Sequence, residues 1–106
     1  MFSRWLQYLG FGSQRRPDLH FVLYTRKGCH LCEDVWHLLE QAQKQRDFRL
    51  DCVDIDHDAD LLAAHGDWVP VVAVNGVVRF RGRVNVVLLQ RLLDAAPQGE
   101  KENPGS

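Results

Sequence analysis

Cysteine is scarce in this chain of 106 residues: there are three, Cys29, Cys32 and Cys52. An odd, small number is not the framework of a secreted, disulfide-stapled domain. No second Cys-x-x-Cys and no His-x-x-x-His accompanies the first pair. A structural zinc site takes four ligands, so the local motif supplies only half a set. An excess of one charge is also missing. With 13 basic and 14 acidic residues the net charge is -1, which argues against nucleic-acid binding and against a charged interaction tail. No apolar run approaches the ~18 residues of a membrane-spanning helix. The opening MFSRWLQYLGFGSQRRP places Arg4 early and Gln7 mid-stretch, with no apolar core before Arg15 and Arg16, unlike a secretory signal. The expectation is a cytoplasmic monomer with neither nucleic acid nor membrane as partner.

What is present suits one soluble domain. Apolar residues make up 45% and charged residues 25%, enough for a core without staples. Residues 1–17 read as a helical extension, with Phe2, Trp5, Leu6 and Leu9 at helical spacing before Gly10 and Gly12 break it. Residues 18–96 read as the domain, and the polar residues 97–106 as a disordered tail. Within the domain, Leu19 to Thr25 (LHFVLYT) predicts a strand buried on both faces. Leu31, Val35, Leu38, Leu39 and Ala42 then repeat as a helix, with Glu33 and Asp34 in its first turn. A second strand is predicted over Phe48 to Ile55. A short helix carries Leu61, Leu62 and His65, capped by Asp56 or Asp58 and ended by Gly66. Asn75-Gly76 joins Val71–Val74 to Val77–Arg81 as a hairpin. Asn85 caps a last helix whose apolar face is Leu88, Leu89, Leu92 and Leu93, closed by Pro97. The order β-α-β-α-β-β-α predicts a four-stranded mixed sheet: the first two strands parallel through a right-handed crossover, the last two antiparallel.

Cys29 falls where the first strand hands over to the first helix. Unpaired N–H groups and the positive end of the helix dipole stabilise a thiolate there, and the thiolate is the nucleophile. Lys27 and a protonated His30 would add positive charge. Cys32 lies one turn deeper. The chemistry this suggests is thiol–disulfide exchange: Cys29 attacks a disulfide and Cys32 resolves the mixed disulfide. Two other readings stand beside it: a pair of buried apolar side chains, or half of a zinc or iron–sulfur site. Cys52, mid-strand, is expected in the core. His37, His57 and His65 are expected as surface or capping residues, and Asp54 and Asp56 as strand-end and capping residues. Trp68 either covers the cysteine pair or fills the core.

A strand, a CxxC at a helix start, and a Val-Pro before a hairpin together resemble the thioredoxin fold. LYTRKGCHLCEDVWHLLE, VDID and VPVVAVNG resemble the small bacterial glutaredoxin-like proteins, over residues 19–96. The resemblance implies an α/β domain, a three-layer α/β/α sandwich. It implies a cis peptide at Pro70, with its loop facing the cysteines and the backbone of Val69 receiving substrate as an extended strand. Lys27, His30, Trp68, Val69, Pro70 and Gly82 are then the substrate-binding residues around catalytic Cys29 and Cys32. No bound cofactor is implied. The partners are a protein disulfide or small-thiol substrate and a reductant, either glutathione or a reductase. The chain also departs from glutaredoxins. His30 and Leu31 stand where they usually have proline and an aromatic, and Trp68 stands where they have threonine. Arg81-Gly82-Arg83-Val84-Asn85 replaces their Gly-Gly and aspartate, which leaves Lys27, Arg81 and Arg83 as the cations for glutathione carboxylates. A thioredoxin-fold module that holds zinc or an iron–sulfur cluster, or a non-catalytic adaptor, is the alternative.

Overall fold

The structure, a computed structural model, describes residues 15–95. The helix predicted within residues 1–17 and the tail at 97–106 lie outside that range, as does Pro97. Strand β1 runs His20–Thr25 and helix α1 His30–Arg46. Strand β2, Arg49–Asp54, leads through a 3₁₀ turn, Ile55–His57, into α2, Ala59–His65. Strands β3, Val71–Val74, and β4, Val77–Arg81, precede α3, Val86–Asp94. The sheet order is β2-β1-β3-β4. β1 and β2 are parallel, and the β1–β3 and β3–β4 pairs are antiparallel, so the predicted mixed sheet is present.

Periodicity explains the packing. Val35, Leu38, Leu39 and Ala42 form the buried stripe of α1, and Leu89 and Leu93 that of α3. They join Phe21, Leu23, Val72, Val74 and Phe80 in one core on one face of the sheet. Phe21 and Phe48 meet there with ring centroids 4.3 Å apart. On α3 the buried positions leave Leu88 about half exposed, a correction to the predicted apolar face. It lies ~100° around the helix from Leu89, outside the stripe through Val86, Leu89 and Leu93.

β1 is also corrected. Phe21 and Leu23 are buried, but His20, Val22 and Tyr24 are only half-buried. The run is central and apolar, yet among the described residues its second face carries only α2, a seven-residue helix with no buried residue. α2 reaches the sheet where His65 stacks on Tyr24, centroids 4.7 Å apart. That contact places a helix on each face, making three layers, and makes His65 a packing residue instead of a surface or capping one. Its Nδ1 is buried without a partner among the described residues.

Cys52 is exposed, not in the core. Phe48, Leu50 and Cys52 share the α1 face of β2, and burial falls off along them: Phe48 is buried, Leu50 half-buried and Cys52 exposed. Among the described residues β2 pairs only with β1, so the far end of this edge strand has no paired strand on its outer side there. Strand β3, between two partners, is buried at every position.

The turns follow local chemistry. Asn75 and Gly76 both have positive φ, 51° and 84°, as a type I′ hairpin requires. Asp58 caps α2, accepting from the N–H groups of Asp60 and Leu61 at 3.0 Å. Asn85 caps α3 through the Leu88 N–H at 3.1 Å. Gly66 stands at the end of α2 in a right-handed conformation, not the left-handed turn expected, and glycine is called for by close approach: a Cβ there would lie 2.6 Å from the Leu62 carbonyl oxygen.

At the end of the sheet where β1 begins, two buried arginines satisfy the C-terminal carbonyls of α3. Arg16 donates to the Leu93 carbonyl at 2.5 Å and to the Asp18 carboxylate at 2.9 and 3.0 Å. Arg46 donates to the Leu93 carbonyl at 2.6 Å and to Asp94 at 2.8 Å. The Arg16 N–H also donates to the Arg46 carbonyl at 2.6 Å.

Candidate active site

The opposite end of β1 carries the cysteines. After Thr25 the chain turns over Arg26–Cys29, closed by the Cys29 N–H donating to the Arg26 carbonyl at 3.3 Å. Gly28, third in this turn, has φ +77° and nothing within 4 Å of a notional Cβ. The conformation, not a lack of space, calls for glycine, as at the third position of a type II turn. The turn delivers Cys29 as the N-cap of α1, in an extended conformation. Its Sγ accepts from the Cys32 N–H at 3.1 Å, where a serine or aspartate oxygen would otherwise sit. An anionic sulfur at this point is stabilised by that N–H and by the helix dipole.

Cys29 and Cys32 are joined by a disulfide, with Cα atoms 5.2 Å apart, within the usual span. The two sulfurs are not equivalent: Cys29 is half-buried, while Cys32 is 3% exposed. An incoming thiol or disulfide therefore meets Cys29 first.

The Val69–Pro70 bond is cis. Tyr24 pairs with Val71 across the β1–β3 ladder, so Pro70 stands abreast of Thr25, at the sheet end from which the chain leaves for Cys29. The Pro70 carbonyl accepts from the Gly82 N–H at 2.7 Å, which ties two of the predicted residues together. Gly82 has φ +78°. Among the described residues Val69 makes no backbone hydrogen bond. Trp68, held by its N–H to the His65 carbonyl at 2.8 Å, keeps 58% of its surface exposed; the core alternative for this residue is wrong. Leu31 on the first turn of α1, and Val87 and Leu88 on the first turn of α3, are also about half exposed. All four belong to segments that start or finish at this sheet end.

Lys27 and His30 are exposed, and His30 Nδ1 lies 4.0 Å from the Glu33 carboxylate. Sequence reasoning missed the part played by Asp56. Its carboxylate accepts from Arg26 Nε at 2.7 Å and from the Lys27 N–H at 3.3 Å. The Arg26 hydrogen bond, followed by that of the Lys27 N–H, holds the Asp56 carboxyl below the usual carboxylate range. The signal was the VDID segment. Thr25 pairs with Asp54 in the parallel ladder, so a residue two beyond Asp54 lies beside Arg26 and Lys27. Without the register that neighbourhood is invisible.

Cys52 has the opposite character to an activated thiol. Partial desolvation of its sulfur, and then the Asp54 carboxylate, push it upward from the ordinary thiol value. Among the described residues no group of three or more His, Cys, Asp or Glu side chains is arranged to hold a metal ion, and no helix is long and apolar enough to cross a membrane.

Residues 20–94 match the family described as Glutaredoxin-like domain (DUF836). Among solved structures the chain is similar to protein Ne2328 from Nitrosomonas europaea, at 28% identity and a TM-score of 0.65, covering 74% of this chain and 94% of that one. It is also similar to protein XcR50 from X. campestris, at 35% identity and a TM-score of 0.59, covering 73% of this chain and 99% of that one. A thioredoxin from Halobacterium salinarum, 18% identical with a TM-score of 0.58 over 83% of this chain and 80% of its own, shares the fold. Comparison with curated proteins finds no match.

Proposed function

The chain belongs to the glutaredoxin-like domain family, and on that premise we propose that it is a thiol–disulfide oxidoreductase working through Cys29 and Cys32. The observation that carries this reading is the half-buried Cys29 sulfur at a helix N-cap, bonded to a buried Cys32.

In the reducing direction the Cys29 thiolate attacks one sulfur of a substrate disulfide. The S–S bond breaks, one substrate sulfur leaves as a thiolate, and the other stays on Cys29. Cys32, deprotonated, then attacks the Cys29 sulfur and releases the second substrate thiolate. Two electrons pass from the dithiol to the substrate, and the enzyme is left as the Cys29–Cys32 disulfide. A dithiol reductant, or two molecules of glutathione, restores it by the reverse exchange.

The substrate in this reading is a protein disulfide in an extended segment with apolar side chains. Leu31, Trp68, Val87 and Leu88 supply exposed apolar surface at the dithiol end, and the backbone of Val69, unpaired among the described residues, offers hydrogen bonds to an added strand. Pro70 and Gly82 hold that loop. Lys27, with Arg81 and Arg83, supplies exposed cations for a glutathione carboxylate, and His30 is exposed beside Lys27. Glutathione therefore enters as reductant or co-substrate, and no cofactor is bound. The protein works as a cytoplasmic monomer, with residues 18–96 as the active domain. Zinc or cluster binding by the same pair gains no support from a ligand group among the described residues.

The test is a redox titration in glutathione and then dithiothreitol, with the Cys29–Cys32 bond mapped by mass. A reversible bond with a midpoint between about -270 and -120 mV is expected. A pair that stays reduced throughout, or a protein purified with stoichiometric zinc on it, would refute the reading.

A further inference from the structure

The end of β2 reaches across to the dithiol turn in a way that catalysis by two cysteines does not require. Asp54 pairs with Thr25 in the ladder and then caps the 3₁₀ turn, accepting from the Asp56 N–H at 2.9 Å. This aims the Asp56 carboxylate at the neighbouring chain. One oxygen takes Arg26 Nε and the other takes the Lys27 N–H. Arg26 and Lys27 are the first two residues of the turn whose closing donor is the Cys29 N–H. The carboxylate thus grips the turn immediately ahead of the nucleophile. An exposed ion pair contributes little to stability, so its position matters more than its strength.

We propose that Asp56 is a positioning residue for the dithiol: its carboxylate holds the turn that presents Cys29 and sets how readily that thiol ionises. This rests on the dithiol reading above. The physical argument is one of sign. A thiolate at position 29 is favoured by the Arg26 cation and opposed by the Asp56 anion. Paired, the two charges largely cancel at Cys29, so the helix terminus remains the main stabilising influence. Removing the anion alone exposes Cys29 to an unbalanced guanidinium; removing the cation alone leaves an unbalanced carboxylate. The other ionisable groups around the turn are Lys27, His30, Cys32, Glu33 and Asp34 on the turn and α1, and Asp54 and His57 beside Asp56. Among the described residues none of these is hydrogen-bonded or ion-paired with the Arg26 side chain, whose partner is Asp56, and all stay in place in the variants below.

The experiment follows the rate of iodoacetamide alkylation of Cys29 against pH. It uses the reduced full chain carrying Cys52→Ser, with the modified cysteine assigned by mass. Asp56→Asn keeps an oxygen for the Lys27 N–H and removes the charge. Its alkylation midpoint is expected ~0.5 pH unit lower, less than the ~1–3 units of a charge in direct contact, because the carboxylate is solvated. Arg26→Gln is expected to move the midpoint up by a similar amount. The double variant is expected to return close to the parent. Midpoints that coincide with the parent in both single variants would overturn the proposal, even with an altered Tm, since a merely structural pair moves stability alone. Shifts of the same sign in both would overturn it too, as they report only a loosened turn. A failure of the dithiol reading shows separately, as the absence of a reversible Cys29–Cys32 bond, and leaves these midpoints readable.

Discussion

The two ends of the β1 axis invert the usual distribution of side chains. Where β1 begins, two arginines are buried, with side chains only 4% and 7% exposed, and every hydrogen bond described for them reaches a carbonyl or a carboxylate. Where β1 ends, large apolar side chains stand in solvent and, among the described residues, the backbone of Val69 makes no hydrogen bond. Buried charge is tolerated only when it is paired and hydrogen-bonded, and exposed apolar clusters in a soluble domain mark surfaces that meet something else. The first end closes the fold by tying the start of the domain, the C-terminus of α1 and the C-terminus of α3 together. The second is left open, with apolar side chains exposed.

Substitutions can break this division of labour. The largest effect is expected at the open end. Cys29→Ser should abolish disulfide exchange, while Cys32→Ser should accumulate a mixed disulfide on Cys29 detectable by mass; neither should remove the fold. At the closed end, Arg46→Met leaves Asp94 and the Leu93 carbonyl short of a buried donor. That should cost about 3 kcal/mol, seen in thermal unfolding as a Tm lower by more than ~10 °C, with the dithiol midpoint unmoved. If Arg46→Met shifts the midpoint as well, the two ends are coupled and the division fails.

A finer effect is expected from Trp68→Ala. Its exposure predicts a stability change within ~0.5 kcal/mol, but a KM about fivefold higher for a protein disulfide, roughly 1 kcal/mol of lost binding. Turnover of a small organic disulfide should not change. Equal losses on both substrates would make Trp68 part of the chemistry and not of the docking surface.

The smallest effect concerns acid. The Arg16 guanidinium beside Asp18 holds that carboxyl below its ordinary value. A carboxyl lowered by folding contributes stability above its unfolded pKa of about 3.9. That stability is lost as pH falls through the folded value. Asp18→Asn should therefore lower Tm slightly at neutrality, where the carboxylate contributes, and flatten the pH dependence of Tm below about pH 4. Asp56, lowered by Arg26, follows the same rule at the other end, so the two variants together compare the acid sensitivity of the two ends.

Much of the fold was legible because it rests on short-range chemistry. Asn75-Gly76 specifies its turn, Asn85 its cap, and the spacing of Val35, Leu38, Leu39 and Ala42 their common face. The misreadings share a different origin. Cys52 and Val72 both sit in predicted strands, and only the strand order makes one an edge residue and the other a buried one. His65 looked like a polar helix end until Tyr24 was placed beneath it. Asp56 looked like a cap, yet Asp54 and Asp58 do the capping and leave Asp56 for Arg26. The cysteine pair was legible as a pair at a helix start. The exposed apolar rim was not, since exposure depends on what packs alongside.

The sequence by itself determined which segments are helix and strand, where they turn, and that two cysteines stand one helical turn apart behind a glycine. These depend on neighbours within a few residues, where backbone sterics and hydrogen-bond reach decide the outcome. Tertiary structure alone decided that Pro70 and Gly82 meet beside the dithiol end, that Asp56 grips the turn ahead of Cys29, and that charge is buried at one end while apolar surface is bared at the other. Those outcomes follow from sheet order and register, which bring together residues that lie from twelve to seventy-seven positions apart in the chain.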